Sequence, residues 1–175
     1  MRDRIADLGL QVGSLEASTK DRVLLVTSMG SITIRLHDDM PITAGNFKNL
    51  VKQGIYDGVL FYRVEHGFVI QAGPEGSRRD APIPTIKDEF TSHNRNSRGT
   101  IAMAKTDKPN SASSEFYINL VDNNRLDSNY SVFGEVTSGM DTVDKIGRVE
   151  TVLDEATRMH KPLQEVNITK AELIR

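Results

Sequence analysis

The sequence predicts a mainly β protein: a mostly antiparallel sheet or closed barrel with two helices at its ends. Three observations carry this. Apolar residues come in roughly eight short runs, separated by segments rich in Gly, Pro, Asn and Ser. Only two stretches repeat apolar residues at helical spacing. The strand-like runs do not alternate with those helices, which argues against a doubly wound parallel sheet and for an antiparallel sheet that curls or closes.

The elements follow in order. Residues 1–22 have weak helical spacing (Ile5, Leu8, Val12, Leu15) and read as an N-terminal extension before a domain over 23–175. Val23-Leu24-Leu25-Val26 is an apolar run that suits a buried strand, and Met29-Gly30 turns the chain. Ile32, Ile34 and Leu36 then alternate with Ser31, Thr33 and Arg35, the pattern of a half-buried strand. Pro41 suits a first helical turn; Ala44, Phe47, Leu50 and Val51 share one face, and Gly54 ends the helix. Strands return at 60–64 and 68–72. Residues 73–98 read as loop with one short strand near Ile86. Further strands fall at 100–104, 115–120 and 132–136. Met140, Val143 and Ile146 mark a second helix, with Ser138 as its candidate cap. Residues 149–162 show no pattern, and the chain closes with Val166–Thr169 alternating, then Ala171-Glu172-Leu173-Ile174.

Composition narrows the chemistry. Among 175 residues, 22 Lys and Arg nearly balance 24 Asp and Glu, leaving a net charge of −2. That balance argues against coating nucleic acid or an anionic membrane, and no run approaches the ~20 apolar residues of a membrane span. Cysteine is absent, which removes disulfides, thiol nucleophiles and cysteine-held metal. The N-terminal residues carry Asp3, Asp7 and Glu16 with no apolar run, so a soluble, cytoplasmic protein is expected. Phosphate-loop, dinucleotide, nucleophile-elbow and zincin motifs are missing. His37-Asp38-Asp39 is the one His/carboxylate cluster and reads as a solvated strand end; no metal is expected.

One segment stands apart, Phe61-Tyr62-Arg63-Val64-Glu65-His66-Gly67-Phe68-Val69-Ile70-Gln71-Ala72-Gly73. It holds an arginine inside an otherwise apolar strand. A lone strand arginine usually faces water. A hairpin centred on Gly67, however, sets Arg63 directly across from Gln71, so the two share a face and can hydrogen-bond. A polar pair beside Phe61 and Phe68 makes a pocket with an apolar wall and a fixed donor.

This segment resembles the active-site motif of the cyclophilins, the cyclosporin-type peptidyl-prolyl isomerases. GTIAMAKTDKPNSASSEFYINL resembles their second signature and LDSNYSVFGEVTSGMDTVDKI the segment after it. The likeness runs in order from about Val23 to Ile174. It implies a closed antiparallel eight-stranded barrel capped by two α-helices. It implies Arg63 as the catalytic arginine with Gln71 beside it, and a proline pocket of Phe68, Val69, Tyr117 and Leu126 with Tyr130 at the rim. It places Met103, Ala104 and Lys105 among the substrate-binding positions, the last two where backbone pairs with bound peptide, and Glu115 where the family usually has glutamine. The implied partners are proline-containing peptides and folded or unfolded protein clients. No cofactor is implied, since rotation about an X–Pro bond makes and breaks no covalent bond. Tyr117 stands where phenylalanine is usual. Arg125 stands where drug-sensitive members keep tryptophan and Tyr130 where they often have histidine, so weak cyclosporin binding is expected. The even charge makes a monomer the expectation. Two further readings stay open from the residues alone: a proline-peptide binding module or chaperone with incidental catalysis, and a barrel for a small apolar ligand.

Overall fold

The structure is a computed structural model that describes residues 21–74 and 83–174. Most of the expected extension, and residues 75–82 of the expected loop, lie outside the described residues. Asp21 and Arg22 belong to the folded part. The Asp21 carboxylate accepts from Lys48 Nζ at 2.7 Å and its carbonyl from the Leu36 amide at 3.0 Å.

Strands β1 (Arg22–Thr27) and β2 (Gly30–Leu36) form the expected hairpin, in a register that sets Val23 against Ile34 and Leu25 against Ile32. All four are fully buried, as the alternation of β2 requires. Helix α1 (Pro41–Lys52) starts on its proline, and Gly54 follows it in the left-handed region at φ 73°. The chain continues through β3 (Arg63–Glu65), β4 (Val69–Ala72), β5 (Thr100–Met103), β6 (Phe116–Asn119), β7 (Val132–Ser138) and helix α2 (Met140–Gly147). A hairpin, β8 (Thr151–Asp154) and β9 (Met159–Pro162), precedes β10 (Ile168–Ile174). One eight-stranded antiparallel sheet runs in the order β10-β1-β2-β7-β5-β6-β4-β3, while β8 and β9 pair separately.

The sheet curls so that its edge strands approach, but β3 and β10 do not ladder with each other. The seam is made by one bridge, Leu60 to Asn167. Beside it the Phe61 amide donates to the Val166 carbonyl and the Ile168 amide to the Val59 carbonyl, both at 2.8 Å. The expected closed barrel is thus a curled sheet stitched at a seam. Inside it, α1 lowers Phe47 onto Tyr56, Phe116 and Phe133 at ring distances of 5.0, 5.5 and 5.0 Å, with the T-shaped Phe47–Phe116 pair at 89°.

Three local expectations are corrected. No strand forms near Ile86, which makes a single amide bond to the Ala112 carbonyl; Pro84 two residues before it has no N–H to give a ladder. Residues 149–162 do carry structure, the β8–β9 hairpin. Its strands are at most half-buried, so no hydrophobic alternation marks them. Its turn uses Asp154 Oδ1, which accepts from the amides of Ala156 and Thr157, and Arg158 rather than glycine at φ 61°. Ser138 ends β7 and caps nothing; α2 follows Gly139 at φ 90°, where a Cβ would strike the Ser31 carbonyl.

Candidate active site

Strands have a period of two, and here both faces of the sheet are put to use. Val64, Ile70, Ala72, Ile101, Met103, Phe116 and Ile118 point into the main core. Their neighbours Val69, Ala102 and Tyr117, with Val132 of β7, form a second apolar cluster on the opposite face, joined by Phe68, Ala104, Leu126 and Tyr130. This explains why β6 is buried at every position.

The second cluster is the floor of a cleft lined by Arg63, Phe68, Val69, Gln71, Ala104, Lys105, Tyr117, Leu126 and Tyr130. Nine of the expected site residues therefore come together. Its volume is about 210 Å³. That is below the roughly 300–1,000 Å³ of pockets that enclose drug-sized ligands, and it disfavours a barrel built around one. Met103 is the exception among the expected residues. Its side chain is 1 % exposed in the main core, because the outward positions of this segment are Ala102 and Ala104. Glu115 lines an adjoining recess with Gln71, Ala104, Lys105, Thr106, Ser111 and Ser113.

Arg63 and Gln71 are cross-strand partners, as the Gly67 hairpin requires. Arg63 Nη1 donates to Gln71 Oε1 at 3.2 Å and Nε donates to Glu65 Oε2 at 3.0 Å. Gln71 Nε2 in turn donates to the Tyr62 hydroxyl at 2.7 Å, and that hydroxyl donates to Glu115. Burial first, and then the Glu115 carboxylate, push the Tyr62 phenol far above its ordinary range, so it stays a neutral donor. Glu115 lies so close over Gly73 that any side chain there would meet its carboxylate. Lys105 Nζ is tied to Asp88 at 3.4 Å; β5 ends at Met103, and just past it the Ala104 amide donates to the Glu115 carbonyl at 2.9 Å.

The Tyr117 hydroxyl finds a buried partner, donating to Asn96 Oδ1 at 2.6 Å. Burial, with Tyr130 and Asp127 nearby, raises that phenol well above its usual value. The Tyr117 ring meets the Tyr130 ring edge-on at 5.9 Å. Asn96 is 0 % exposed; its amide and side chain donate to Asp127 Oδ1, while Asn94 Nδ2 donates to the carbonyls of Asp127 and Tyr130. Sequence reading took this segment for solvated loop. The asparagine repeat Asn94-Arg95-Asn96 was its signal, since buried asparagine side chains are what brace irregular backbone. Arg125 stacks its guanidinium 4.9 Å above the Phe68 ring and covers the apolar wall. The His37–Asp38–Asp39 cluster is a surface feature: His37 Nε2 sits 3.2 Å from Glu135, with Asp38 and Asp39 exposed. Among the described residues, no group of three or more His, Asp and Glu side chains could hold a metal ion, and no helix is long and apolar enough to cross a membrane.

Comparison with known proteins agrees with this geometry. Residues 22–173 match the family model described as cyclophilin type peptidyl-prolyl cis-trans isomerase/CLD. A peptidyl-prolyl cis-trans isomerase of Acinetobacter baylyi is 40% identical over 176 residues, covering 95% of this chain and 92% of that one. The Escherichia coli peptidyl-prolyl cis-trans isomerase B is 42% identical, over 71% of this chain and 83% of its own. A Cryptosporidium parvum cyclophilin type isomerase, solved in the presence of the dipeptide Ala-Pro, superposes with a TM-score of 0.79 at 27% identity, over 88% of this chain and 99% of that one. A curled eight-stranded sheet, two helices and an arginine on the wall of a small apolar cleft thus go with a match along the whole domain, and the chain belongs to the cyclophilin-type peptidyl-prolyl cis-trans isomerases.

Proposed function

We propose that the cleft binds X–Pro segments of protein chains and that Arg63 stabilises the twisted amide between the isomers. Amide resonance sets a barrier of about 18–20 kcal/mol to this rotation. Catalysis requires binding the twisted form more tightly than either planar form. When the bond twists, the proline nitrogen pyramidalises and regains a lone pair. Arg63 lines the cleft and is held through Nε and Nη1, which leaves its outer amine to donate to that nitrogen. Phe68, Val69, Tyr117 and Leu126 would grip the proline ring, and the backbone at 104–105 would pair with the peptide as an added strand. The observation that carries the reading is the registered, hydrogen-bonded Arg63–Gln71 pair on the wall of a cleft the size of one ring.

The test is exchange spectroscopy on a short Ala-Pro peptide with sub-stoichiometric protein. Accelerated exchange is expected, and Arg63→Ala should lose about 10²–10³-fold in kcat, the range seen when one charge-stabilising donor is removed. Line broadening without accelerated exchange would make the protein a binding module, and full activity in Arg63→Ala would refute the role given to Arg63. Cyclosporin should bind weakly because Arg125 covers Phe68 with a charged group; a low-nanomolar Kd would contradict this. We read the chain as a monomer acting on protein clients, in keeping with its balanced charge.

A further inference from the structure

Arg63 is held from behind by a part of the molecule that lies outside the cleft. Glu65 stands two residues along β3, on the same face as Arg63. Its Oε2 accepts from Arg63 Nε at 3.0 Å and from the His160 backbone amide, also at 3.0 Å. Its Oε1 lies 2.7 Å from His160 Nδ1, which donates to it. His160 belongs to β9, opposite Leu153, and β9 packs along β3. Burial alone would raise the Glu65 carboxyl. The His160 amide, Arg63 and the His160 ring outweigh it and hold the group below the usual glutamate range, so it is ionised whenever the enzyme works.

We propose that Glu65, anchored by His160, is a positioning residue for Arg63, and that the β8–β9 hairpin is thereby part of the catalytic apparatus. The argument is geometric. A guanidinium is planar and rigid, so two fixed points set its orientation. Gln71 fixes Nη1 and Glu65 fixes Nε. Gln71 alone would leave the group free to swing about that one bond. Glu65 is itself a flexible side chain, and the two donors of His160 remove its freedom, one through backbone that cannot rotate away. Neither Glu65 nor His160 lines the cleft, so they act through Arg63 and not on the peptide.

This inference rests on the reading of Arg63 as the catalytic donor, and the experiment separates the two. Turnover and peptide affinity are measured by exchange spectroscopy for Glu65→Ala, His160→Ala and the double variant, with Arg63→Ala alongside. Misorienting a catalytic group by a fraction of an ångström is expected to lower kcat about tenfold in Glu65→Ala and about threefold in His160→Ala, with KM within about twofold of the parent. The double variant is expected to be no worse than Glu65→Ala, since His160 acts through Glu65. Parental kcat in Glu65→Ala, or losses that multiply in the double variant, overturns the proposal. Should Glu65→Ala fail to fold, Glu65→Met, which keeps the length of the side chain and removes both acceptor oxygens, takes its place, and parental kcat there overturns it equally. The Arg63 Nε–H resonance provides a readout independent of turnover: it should shift and exchange faster in His160→Ala. An unmoved resonance refutes the clamp even if Arg63→Ala is inactive. An active Arg63→Ala with a shifted resonance would remove the catalytic reading and leave the clamp standing.

Discussion

Tyr117 shows how one side chain can face two ways, its ring toward the cleft and its hydroxyl toward the interior. The ring floors the cleft, and the hydroxyl reaches back to Asn96 at 2.6 Å. Tyr117→Phe keeps the floor and removes that bond, while Asn96 Oδ1 still receives Asn119 Nδ2 at 3.2 Å. Urea unfolding should report a loss of about 1 kcal/mol, with kcat/KM nearly unchanged; a large loss of activity would place the hydroxyl in the reaction. Glu65 gives a pH prediction. Its folded-state pKa is depressed, so its contribution is present above the ordinary glutamate range and is lost as pH falls through the folded value. The kcat/KM profile should therefore stay flat down to about pH 4.3 and decline only below it; a fall beginning near neutrality would point to another group. The Arg63–Gln71 pairing was legible in the sequence because a hairpin about Gly67 fixes which residues face each other. The partner of Tyr117 was not, because Asn96 arrives from an irregular segment with no period to read. Met103 was misjudged because a motif names a position without saying on which side of the strand its side chain falls.

At the scale of elements, helix α1 was readable from its ends, Pro41 and Gly54, but its cap was not. Glu89 provides it from a distant loop: Oε1 accepts from the Thr43 amide and hydroxyl at 2.8 Å, and Oε2 from the Ile42 amide at 3.1 Å. A carboxylate at a helix N-terminus satisfies orphan amides and complements the dipole. Glu89→Ala should cost about 1–2 kcal/mol in a thermal melt, whereas Glu89→Gln should retain part of it; no change in either would make the contact incidental. Gly139 is more exacting. Its φ of 90° and its approach to the Ser31 carbonyl leave no space for a Cβ. Gly139→Ala should destabilise the fold by about 2–3 kcal/mol, measured by denaturant unfolding. The hairpin β8–β9 escaped sequence reading for two reasons. Its residues are too exposed to alternate, and its turn is closed by an aspartate and a left-handed arginine where glycine or asparagine is the usual signal.

For the whole molecule, the strand count and the antiparallel character were legible because each strand announces itself locally. How the edges meet was not, since the seam joins residues 59–61 to 166–168, segments too far apart in the chain for any local pattern to pair them. That seam, between segments about a hundred residues apart and not at the two chain ends, should also be the weak line of the sheet. In native-state hydrogen exchange, the Phe61 and Ile168 amides should exchange ahead of those in the continuous β2–β7 and β5–β6 ladders; equal protection would mean the sheet opens only as a unit. The alternation of the site strands has a different consequence. Along β3 to β6, one parity (Val64, Ile70, Met103, Phe116, Ile118) builds the fold and the other (Arg63, Val69, Gln71, Ala104, Tyr117) lines the cleft. Mutation can therefore explore new peptide preferences on one set while stability is screened on the other, with little cross-talk. A one-residue insertion in these strands is the change that would exchange the two roles, so descendants of this sequence should diverge at the cleft by substitution and hardly ever by length.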